Sequence, residues 1–499
     1  MPFAARGSRK ETNLTSVTSR PDSGAPGASG PADRRADAGP GAEQAGPGSR
    51  PNGGPGAGRS GGRGSGPNGA QPWNRRVLRA INERILFDAL RAAGTTSRAE
   101  LARSTGLSKP TVSAALANLE NAGLVRATGE TAQGYGRGRA ALLYETDPTA
   151  GYVVGLDIGR QWIRAAVAGL DGTPVGRQDQ PNKARSAAAI VRAAVGLARS
   201  VVAGAGVSWP QVVHVVLGGP GVIDPGSHRV RYAVNLPGWE QAGLVDQLRA
   251  ELGTSIDMVN DADLAALGEY ALGAGKGCPL FAYLWIGTGV GAGYVIGGRL
   301  FRGAHGAAGE LGYLPFYPLP VPGEEELPGQ PVRPATAPRS ARSATRRAAA
   351  SSPAGTVALP AEQRRGTMED AIAADGVVRL ARALGIRNAA TAKQVFDAAR
   401  SGDESAGRVV AHEAARIAHA VAALAAALDP ALVVLGGGIG RNTDVLLAPL
   451  QQALMTLTPL HPRVVPAVLG DDAVLLGALS TAAETARDQV FEARSAALA

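Results

Sequence analysis

The sequence has one cysteine, no long apolar run and no apolar segment near its N-terminal end. A single cysteine, Cys278, excludes a disulfide within the chain and a zinc site built from several thiolates. No apolar run reaches the roughly 18 residues that a membrane-spanning helix needs, and the basic N-terminal end lacks the apolar core of a secretory signal. We therefore expect a cytoplasmic protein that has no membrane partner.

Positive charge is unevenly distributed along the 499 residues. The net charge is +9, and the excess of Lys and Arg lies in residues 1–148 and 315–366, whereas the rest of the chain is close to neutral. A basic N-terminal part on a near-neutral body favours a nucleic-acid partner over a membrane surface.

Composition divides the chain into segments of two kinds. Residues 1–74 consist mainly of Gly, Pro, Ala, Ser and Arg, with little to bury, which predicts a disordered tail. Residues 315–366 have a similar composition and interrupt a folded segment, so we predict an exposed, disordered insert there. The remaining sequence forms a small unit at 75–148 and a large body at 150–499.

The small unit begins with two predicted helices. Apolar residues at helical spacing over 77–90 predict a first helix that ends at Gly94. Ser97 followed by Glu100 is a capping box that opens a second, short helix.

A turn at Gly106 and a third helix capped by Ser108 complete the spacing of a helix-turn-helix motif. The N-terminal turn of the last helix in such a motif faces the major groove of DNA. The residues expected to contact DNA from this helix are Ser108, Lys109, Thr111 and Ser113.

Strand-like residues at 124–125 and 141–144 enclose the glycine-rich loop "GETAQGYGRGRA", which predicts a winged variant of the motif. Arg137 and Arg139 in this loop are expected to hold phosphates or to enter a minor groove. The alternative is a three-helix packing module with solvated arginines. The two caps, the central glycine and the basic wing together favour binding to double-stranded operator DNA.

The body alternates β-branched strands with alanine-rich helices, which is typical of an α/β fold. Glycine-rich turns follow three of the predicted strands: "GLDIG" at 155–159, "GTGVGAG" at 287–293 and "GGGIG" at 436–440. Repeated strand–glycine-turn units indicate a two-lobed, actin-like ATPase body. The predicted strands are 153–156, 163–168, 212–217, 281–286 and 432–435.

With these motifs the chain resembles the ROK family, which groups transcriptional repressors and sugar kinases on one fold. The most specific segments are "NLPGW" at 235–239, "NDADLAALGE" at 260–269 and "GTGVGAGYVIGGRLFRGAHGAAGELG" at 287–312. The likeness covers residues from about 76 to 490 apart from the insert. A helix-turn-helix in front of the body is similar to the repressor branch.

The resemblance implies a sugar site in the body. The Asp of the "ND" pair is the general base of the family's kinases, and here that residue is Asp261, with Asn260 expected to hydrogen-bond the sugar. A carboxylate suits proton removal from a hydroxyl and equally suits sugar binding. The alternative is that the pair ends a strand and caps a helix. Further residues implied to contact the sugar are Asn235, Glu310 and Glu369.

The phosphate turn departs from the family's kinases. Those enzymes usually have Gly-Thr-Lys after "DIG", where this chain has Arg160, Gln161 and Trp162. The large indole and the loss of a hydroxyl donor argue against phosphate transfer, so neither ATP nor another cofactor is expected. The family's phosphate-loop positions that remain, interpreted as vestigial, are Asp157, Gly159, Gly287, Thr288, Gly289 and Gly437.

The zinc site of the family is also missing from this sequence. It uses a histidine three residues after the glutamate of "GELG" and three closely spaced cysteines, whereas this chain has Tyr313 there and no cysteine between Tyr313 and Glu369. Tyr313 is expected to donate a hydrogen bond to a sugar or to pack.

Three functions follow from these observations. The first is a DNA-binding regulator, most often a repressor in this family, that responds to a sugar or phosphosugar and acts as a homodimer or homotetramer. The second is an ATP-dependent sugar kinase that carries a DNA-binding domain. The third is a constitutive DNA-binding protein with an unliganded body. The eroded phosphate turn favours the first function over the enzyme.

Overall fold

The computed structural model describes residues 75–132, 141–224, 226–227, 229–233, 236–316 and 366–497. Some features expected from the sequence lie outside these residues: the tail at 1–74, most of the insert, Arg137, Arg139 and Asn235.

The N-terminal unit is a winged helix-turn-helix. A three-stranded sheet of order β1-β3-β2 packs beside three helices. The elements are α1 (Arg75–Ala93), β1 (Thr96–Ser97), α2 (Arg98–Thr105), α3 (Lys109–Asn121), β2 (Val125–Ala132) and β3 (Ala141–Thr146).

The helix boundaries follow the capping residues in the sequence. The Ser97 hydroxyl accepts a hydrogen bond from the N–H of Glu100 at 3.3 Å, and the Ser108 hydroxyl accepts one from the N–H of Thr111 at 3.3 Å. Gly106 has φ +71°, a left-handed conformation that glycine adopts without strain and that turns the chain between α2 and α3.

Leu86, Leu101 and Leu116 are among the fully buried side chains of this unit. Four apolar residues of α1 differ from the apolar pattern, because they stay 39–46% exposed although the spacing predicts a buried face. These exposed residues are Val77, Leu78, Ile81 and Ile85.

The first lobe of the body contains a five-stranded sheet of order β10-β7-β4-β5-β6. Strands β4, β5 and β6 form an antiparallel meander, and β7 and β10 extend it in parallel with β4. The elements are β4 (Tyr152–Ile158), β5 (Trp162–Gly169), β6 (Pro174–Pro181), α4 (Ala187–Gly204), β7 (Val212–Gly219), β8 (Val222–Ile223), β9 (Val230–Arg231), α5 (Leu244–Leu252), β10 (Ser255–Asn260) and α6 (Asp261–Leu272).

The second lobe repeats this arrangement with a sheet of order β13-β12-β11-β14-β15. Three antiparallel strands are again extended by two parallel ones, which is the duplicated architecture expected of an actin-like body. The elements are β11 (Leu280–Ile286), β12 (Val290–Ile296), β13 (Arg299–Leu300), α7 (Met368–Ile372), α8 (Ala374–Ala383), α9 (Ala392–Arg400), α10 (Glu404–Leu428), β14 (Leu432–Gly436), α11 (Gly437–Gly440), α12 (Thr443–Leu457), β15 (Arg463–Pro466) and α13 (Ala473–Ala497).

Helices α6 and α13 pack together in the core that joins both sheets. Their backbones touch at Gly268 and Gly477, where a Cβ on Gly477 would lie 1.9 Å from the carbonyl oxygen of Leu264. Only glycine permits this approach, so the two helices form one rigid pair.

The folded body extends slightly into the segment that the sequence assigns to the insert. Pro315 pairs with Thr367 in an isolated bridge, and the N–H of Phe316 donates to the carbonyl oxygen of Gly366 at 2.7 Å. Phe316 is also buried. The described ends of the insert, at 316 and 366, are therefore held side by side.

Two described helices, α4 and α10, are long and apolar enough to cross a membrane by length and composition alone. Both pack their apolar side chains into the cores of the two lobes, with residues such as Ile190 and Ile417 fully buried. Core helices of this kind satisfy the same length and composition test.

Candidate functional site

A cleft of about 350 Å³ is lined by residues of both lobes. It brings together most of the residues that the sequence singled out at separate places in the chain. The predicted residues that line it are Asp157, Gly159, Asn260, Asp261, Thr288, Gly289, Glu310, Tyr313 and Glu369. Gly287 and Gly437 do not line the cleft. They lie in glycine-rich backbone turns of the second lobe.

Asn260 ends β10 and caps α6. Its amide oxygen accepts from the N–H groups of Ala262 at 2.8 Å and Asp263 at 3.3 Å, and its amide nitrogen donates to the carbonyl oxygen of Gly221 at 3.1 Å. The alternative interpretation as a helix cap is therefore observed for Asn260. A hydrogen bond from this residue to a sugar stays a prediction.

Asp261 is the first residue of α6 and faces the cleft. Burial and the nearby charge of Asp157 raise the pKa of its carboxyl group to about 6. A carboxyl group with this pKa is mostly ionised at neutral pH, and it accepts a hydrogen bond or a proton from a hydroxyl.

Two further carboxyl groups lie near Asp261. Burial and neighbouring negative charge raise the pKa of Glu310 to about 7, with Asp261 and Glu369 as the charges concerned. Burial also raises the pKa of Asp263 to about 7, and Arg302 opposes this shift. Side chains of this kind, part acid and part carboxylate, can both donate to and accept from hydroxyl groups.

Glu369 lies on α7 and reaches the glycine turn after β11. Its Oε2 accepts a hydrogen bond from the N–H of Val290 at 3.2 Å. Thr367 caps the helix, because its hydroxyl accepts a hydrogen bond from the N–H of Asp370 at 3.3 Å. The short α7 thus holds Glu369 in the cleft, although the insert separates it by sequence from Glu310.

Tyr313 lies in a single helical turn, Leu311–Tyr313, and packs against Tyr232 with ring centroids 5.7 Å apart. Tyr232 has φ +62°, a conformation that non-glycine residues rarely adopt and that often occurs at binding sites. Tyr232 and Asp263 also line the cleft, although the sequence motifs predicted neither as a site residue. The second acidic residue of "NDAD" was a signal for Asp263, and we find none for Tyr232.

The turn after β4 is closed by its own backbone. The N–H of Gly159 donates to the carbonyl oxygen of Trp162 at 2.9 Å. Asn182 secures the turn from β6, because its side chain donates to the carbonyl oxygen of Gly159 and its N–H donates to that of Gln161, both at 2.8 Å. The backbone donor of Gly159 is therefore not available to a phosphate group.

Asp157 is committed to an ion pair within the first lobe. Its Oδ2 accepts a hydrogen bond from Arg164 at 2.7 Å. Burial raises the pKa of Asp157, and Arg164 opposes that rise. Because Arg164 is paired with Asp157, its positive charge is already balanced and is not free to bind a ligand in the cleft.

The remaining glycine turns support the second lobe. The N–H of Gly287 donates to the carbonyl oxygen of Gly289 at 2.9 Å, and Thr288 between them is exposed. Gly437 has φ +79°, and a Cβ there would lie 2.4 Å from the carbonyl oxygen of Ile286. Close backbone packing therefore requires a glycine at position 437 whether or not a nucleotide binds.

The donor set does not fit the zinc site that the family resemblance implies. Tyr313 packs on Tyr232, and Cys278 lies elsewhere, with its Sγ 3.4 Å from the carbonyl oxygen of Leu280. In the described parts of the chain, no three His, Cys, Asp or Glu side chains are grouped to hold a metal ion.

Helix α3 presents its N-terminal turn to solvent. Lys109 is exposed and Ser113 is half-buried. The hydroxyl groups of Ser108 and Thr111 lie 2.8 Å apart and hydrogen-bond to each other. Lys109 and Ser113 take no part in this bond, and contact of either side chain with a DNA base stays a prediction.

The C-terminal end of α13 is attached to the winged domain. Arg494 donates at 2.8 Å to the carbonyl oxygens of Ala122 and Gly123, which follow α3 directly, and it also donates to that of Ala150. Close by, Arg84 of α1 forms an ion pair with Asp488 at 2.6 Å. The aromatic rings of Phe87 and Phe491 stack there with centroids 5.5 Å apart.

The N-terminal end of α13 adjoins the cleft. The turn before the helix forms an ion pair with each lobe: Asp472 pairs with Arg177 of β6 at 2.8 Å, and Asp471 pairs with Arg441 at 3.0 Å. Asp471 and Val474 both line the cleft. One helix therefore contacts the cleft at one end and the helix-turn-helix at the other.

Two family models match the chain. A ROK family model matches residues 153–485, and a winged helix-turn-helix DNA-binding model matches residues 78–126. These two ranges agree with the small unit and the large body described above.

Known relatives include kinases and repressors. The glucokinase of Halalkalibacterium halodurans is 30% identical over 337 residues, which are 65% of this chain and 93% of that protein. The xylose repressor of Bacillus subtilis is 27% identical over 241 residues, 48% of this chain and 61% of that protein. The crystal structure of a ROK family transcriptional regulator, a homolog of the E. coli MLC protein, superimposes with a TM-score of 0.64 at 17% identity. That match covers 84% of this chain and 99% of that one, and it concerns the fold alone.

Proposed function

The chain belongs to the ROK family, as its motifs predicted, and we propose that it is a sugar-responsive, DNA-binding transcriptional regulator. Its helix-turn-helix would bind double-stranded operator DNA, and its cleft would bind a sugar or phosphosugar effector. We further propose that it acts in the cytoplasm as a repressor of sugar-utilisation genes.

The observation that carries this proposal is the position of α13 between the cleft and the recognition helix. The helix has 25 residues and so spans about 37 Å. Asp471 and Asp472, just before it, form ion pairs with opposite lobes, so a ligand that changes the lobe angle would displace this end of the helix. Arg494 at the other end holds the carbonyl groups after α3.

Coupling of this kind needs only a modest difference in free energy. A sugar that binds one lobe arrangement more tightly shifts the population towards that arrangement. In a homodimer or homotetramer, a small rotation of α3 in each subunit alters the distance between two recognition helices, which must match half-sites about one helical turn apart. A coupling free energy of about 1–3 kcal/mol would reduce operator affinity by roughly 5- to 150-fold.

The cleft supports sugar binding more than phosphate transfer. Carboxyl groups with raised pKa values surround the position expected for the sugar, and three of them are Asp261, Asp263 and Glu310. At the other end, the backbone donor of Gly159 is occupied and Arg164 is paired with Asp157. We therefore propose that the body uses neither ATP nor zinc.

Selection of genomic DNA fragments by the purified chain, followed by footprinting at low salt, tests the regulator directly. A protected and palindromic site is expected, and adding the cognate sugar should release it. If the chain protects no specific sequence, the proposed function as a DNA-binding regulator is contradicted. A protected site that no sugar releases, together with no thermal shift by any sugar, would support a constitutive DNA-binding protein.

A sugar kinase is the second candidate, because Asp261 lines the cleft at the start of α6 and the glucokinase relative is 30% identical. A coupled assay with ATP and a panel of hexoses and amino sugars distinguishes the two functions. Turnover by the native chain that Asp261→Asn abolishes would establish the enzyme. If the chain is a regulator and not an enzyme, the turnover of the native chain should not exceed that of the Asp261→Asn variant.

A further inference from the structure

The end of the cleft next to β5 carries an exposed aromatic ring. Aromatic residues make up only 4% of the sequence, yet four of them line this cleft: Trp162, Tyr232, Trp285 and Tyr313. The side chain of Trp162 is among the large apolar side chains that stay exposed, at 42%. An indole on the wall of a cleft offers a flat apolar surface to a ligand rather than a contribution to the core.

The backbone that carries this ring is held in place before any ligand binds. The bond from Gly159 to Trp162 closes the turn, and the two bonds from Asn182 fasten it to β6. Because these bonds hold the turn, little conformational entropy would be lost when a ligand stacks on the indole.

Two polar residues precede the ring in the same turn. Arg160 and Gln161 line the same cleft, and within the described residues neither side chain has a hydrogen bond or ion pair. Their N–H and amide groups are therefore available to a ligand. A flat aromatic ring in the same cleft as such groups suits a pyranose, whose C–H face is apolar and whose rim carries hydroxyl groups.

Charge at this end of the cleft is balanced by ion pairs that leave one cation over. Asp157 and Asp471 line it and are paired with Arg164 and Arg441, which leaves Arg160 as the unpaired cation of the turn. A neutral sugar needs no further charge here, whereas a phosphate group would find only Arg160 unpaired in this turn, because the backbone donor of Gly159 is already used. The volume of about 350 Å³ also exceeds what one hexose ring fills.

We propose that the turn 160–162 forms a second sugar subsite, so that the effector is a disaccharide. One ring would lie among the carboxyl groups near Asp261, and the other would stack on Trp162 and hydrogen-bond to Arg160 or Gln161 of the same turn. This inference rests on the proposed function as a sugar-binding regulator and specifies the ligand class that its cleft takes.

Titration of the full chain with matched probes tests the subsite, by calorimetry and by tryptophan fluorescence. The probes are glucose with maltose and cellobiose, xylose with xylobiose, and glucose 6-phosphate. We expect one disaccharide to bind at least tenfold more tightly than its own monosaccharide. The Trp162→Ala variant should lose about tenfold in affinity for that disaccharide while its monosaccharide affinity stays within twofold.

Two further variants make the test specific. Trp162→Phe keeps a ring and should retain most of the disaccharide affinity, while the fluorescence change on disaccharide binding should fall to what Trp285, the other tryptophan of the cleft lining, contributes. Phe301→Ala removes another exposed aromatic side chain, 45% exposed and outside the cleft lining, and should change no sugar affinity. Retained monosaccharide binding shows that each variant is folded.

Three outcomes would overturn the subsite. If monosaccharides bind and no disaccharide binds more tightly, the proposed second subsite is contradicted, whereas the proposed function as a sugar-responsive regulator is not. If glucose 6-phosphate binds most tightly and Arg160→Ala abolishes that gain, the turn is a phosphate site. If none of these sugars binds, the subsite fails, and footprinting then decides separately whether DNA binding stands.

Discussion

Replacing Glu413 with Gln should stabilise the second lobe, and more at neutral pH than at acidic pH. Glu413 lies in the middle of α10 and is fully buried, and neither carboxylate oxygen has a hydrogen-bond partner among the described residues. Buried apolar residues of the same helix surround it in sequence, Val409, Val410 and Ile417 among them. Burial therefore raises the pKa of its carboxyl group from 4.5 to about 8.

The direction of the pH effect follows from proton binding. Between pH 4.5 and 8 the folded chain keeps the proton of Glu413, whereas the unfolded chain releases it, so the free energy of unfolding falls as pH rises. Integrating this difference gives a cost of about 1 kcal/mol at pH 5 and about 3 kcal/mol at pH 7. Gln does not ionise, and its shape is close to that of protonated Glu, so Glu413→Gln should remove this cost.

Urea unfolding of both proteins at pH 5 and pH 7, followed by circular dichroism, measures the difference. The variant should gain about 2 kcal/mol more at pH 7 than at pH 5. Glu484→Gln on the exposed side of α13 is a matched control, which should change stability by less than about 0.5 kcal/mol at either pH. A gain that is equal at both pH values would refute the reasoning, because Glu413 would then have an ordinary pKa.

Three other predictions concern function. Lys109→Ala should weaken operator binding by roughly 1–3 kcal/mol if the exposed lysine reads a base edge, and equal loss on random DNA in a gel-shift assay would contradict base reading. Arg494→Ala should reduce the effect of the sugar on operator affinity, while the affinity for the sugar itself stays within twofold. Arg494→Lys should keep part of that effect. If Arg494→Ala leaves the effect unchanged, α13 does not connect sugar binding to DNA binding. Metal analysis of the purified chain should find no zinc, since Tyr313 and Cys278 do not make a site, and one zinc per chain would contradict that assignment.

Local features of the chain were predictable because short-range physical chemistry decides them. The caps at Ser97 and Ser108 and the left-handed turn at Gly106 depend only on residues within a few positions. The five predicted strands all occur in the structure, since β-branched runs bounded by glycine leave few other choices. Strands with weaker patterns were missed, including β6, whose exposure alternates along an edge of the sheet.

The motif residues could be assigned to one site because the family pattern carries their spacing. Asp261, Glu310 and Glu369 come together as expected, although the insert separates the last two. The role of each of these residues could not be predicted from the motif spacing. Asn260 caps α6 with its amide oxygen while it lines the cleft, because the first turn of α6 leaves N–H groups that need an acceptor.

The long-range contacts came only from the tertiary structure. Nothing near Arg494 in the sequence indicates that its guanidinium holds carbonyl groups more than 340 residues away. Tyr232 likewise enters the cleft because the packing around it maintains a strained backbone angle. Secondary structure and caps depend on neighbours along the chain, so the amino-acid sequence alone determines them. The connection between cleft and recognition helix depends on how α13 packs against two lobes and a third domain, which only the folded chain decides.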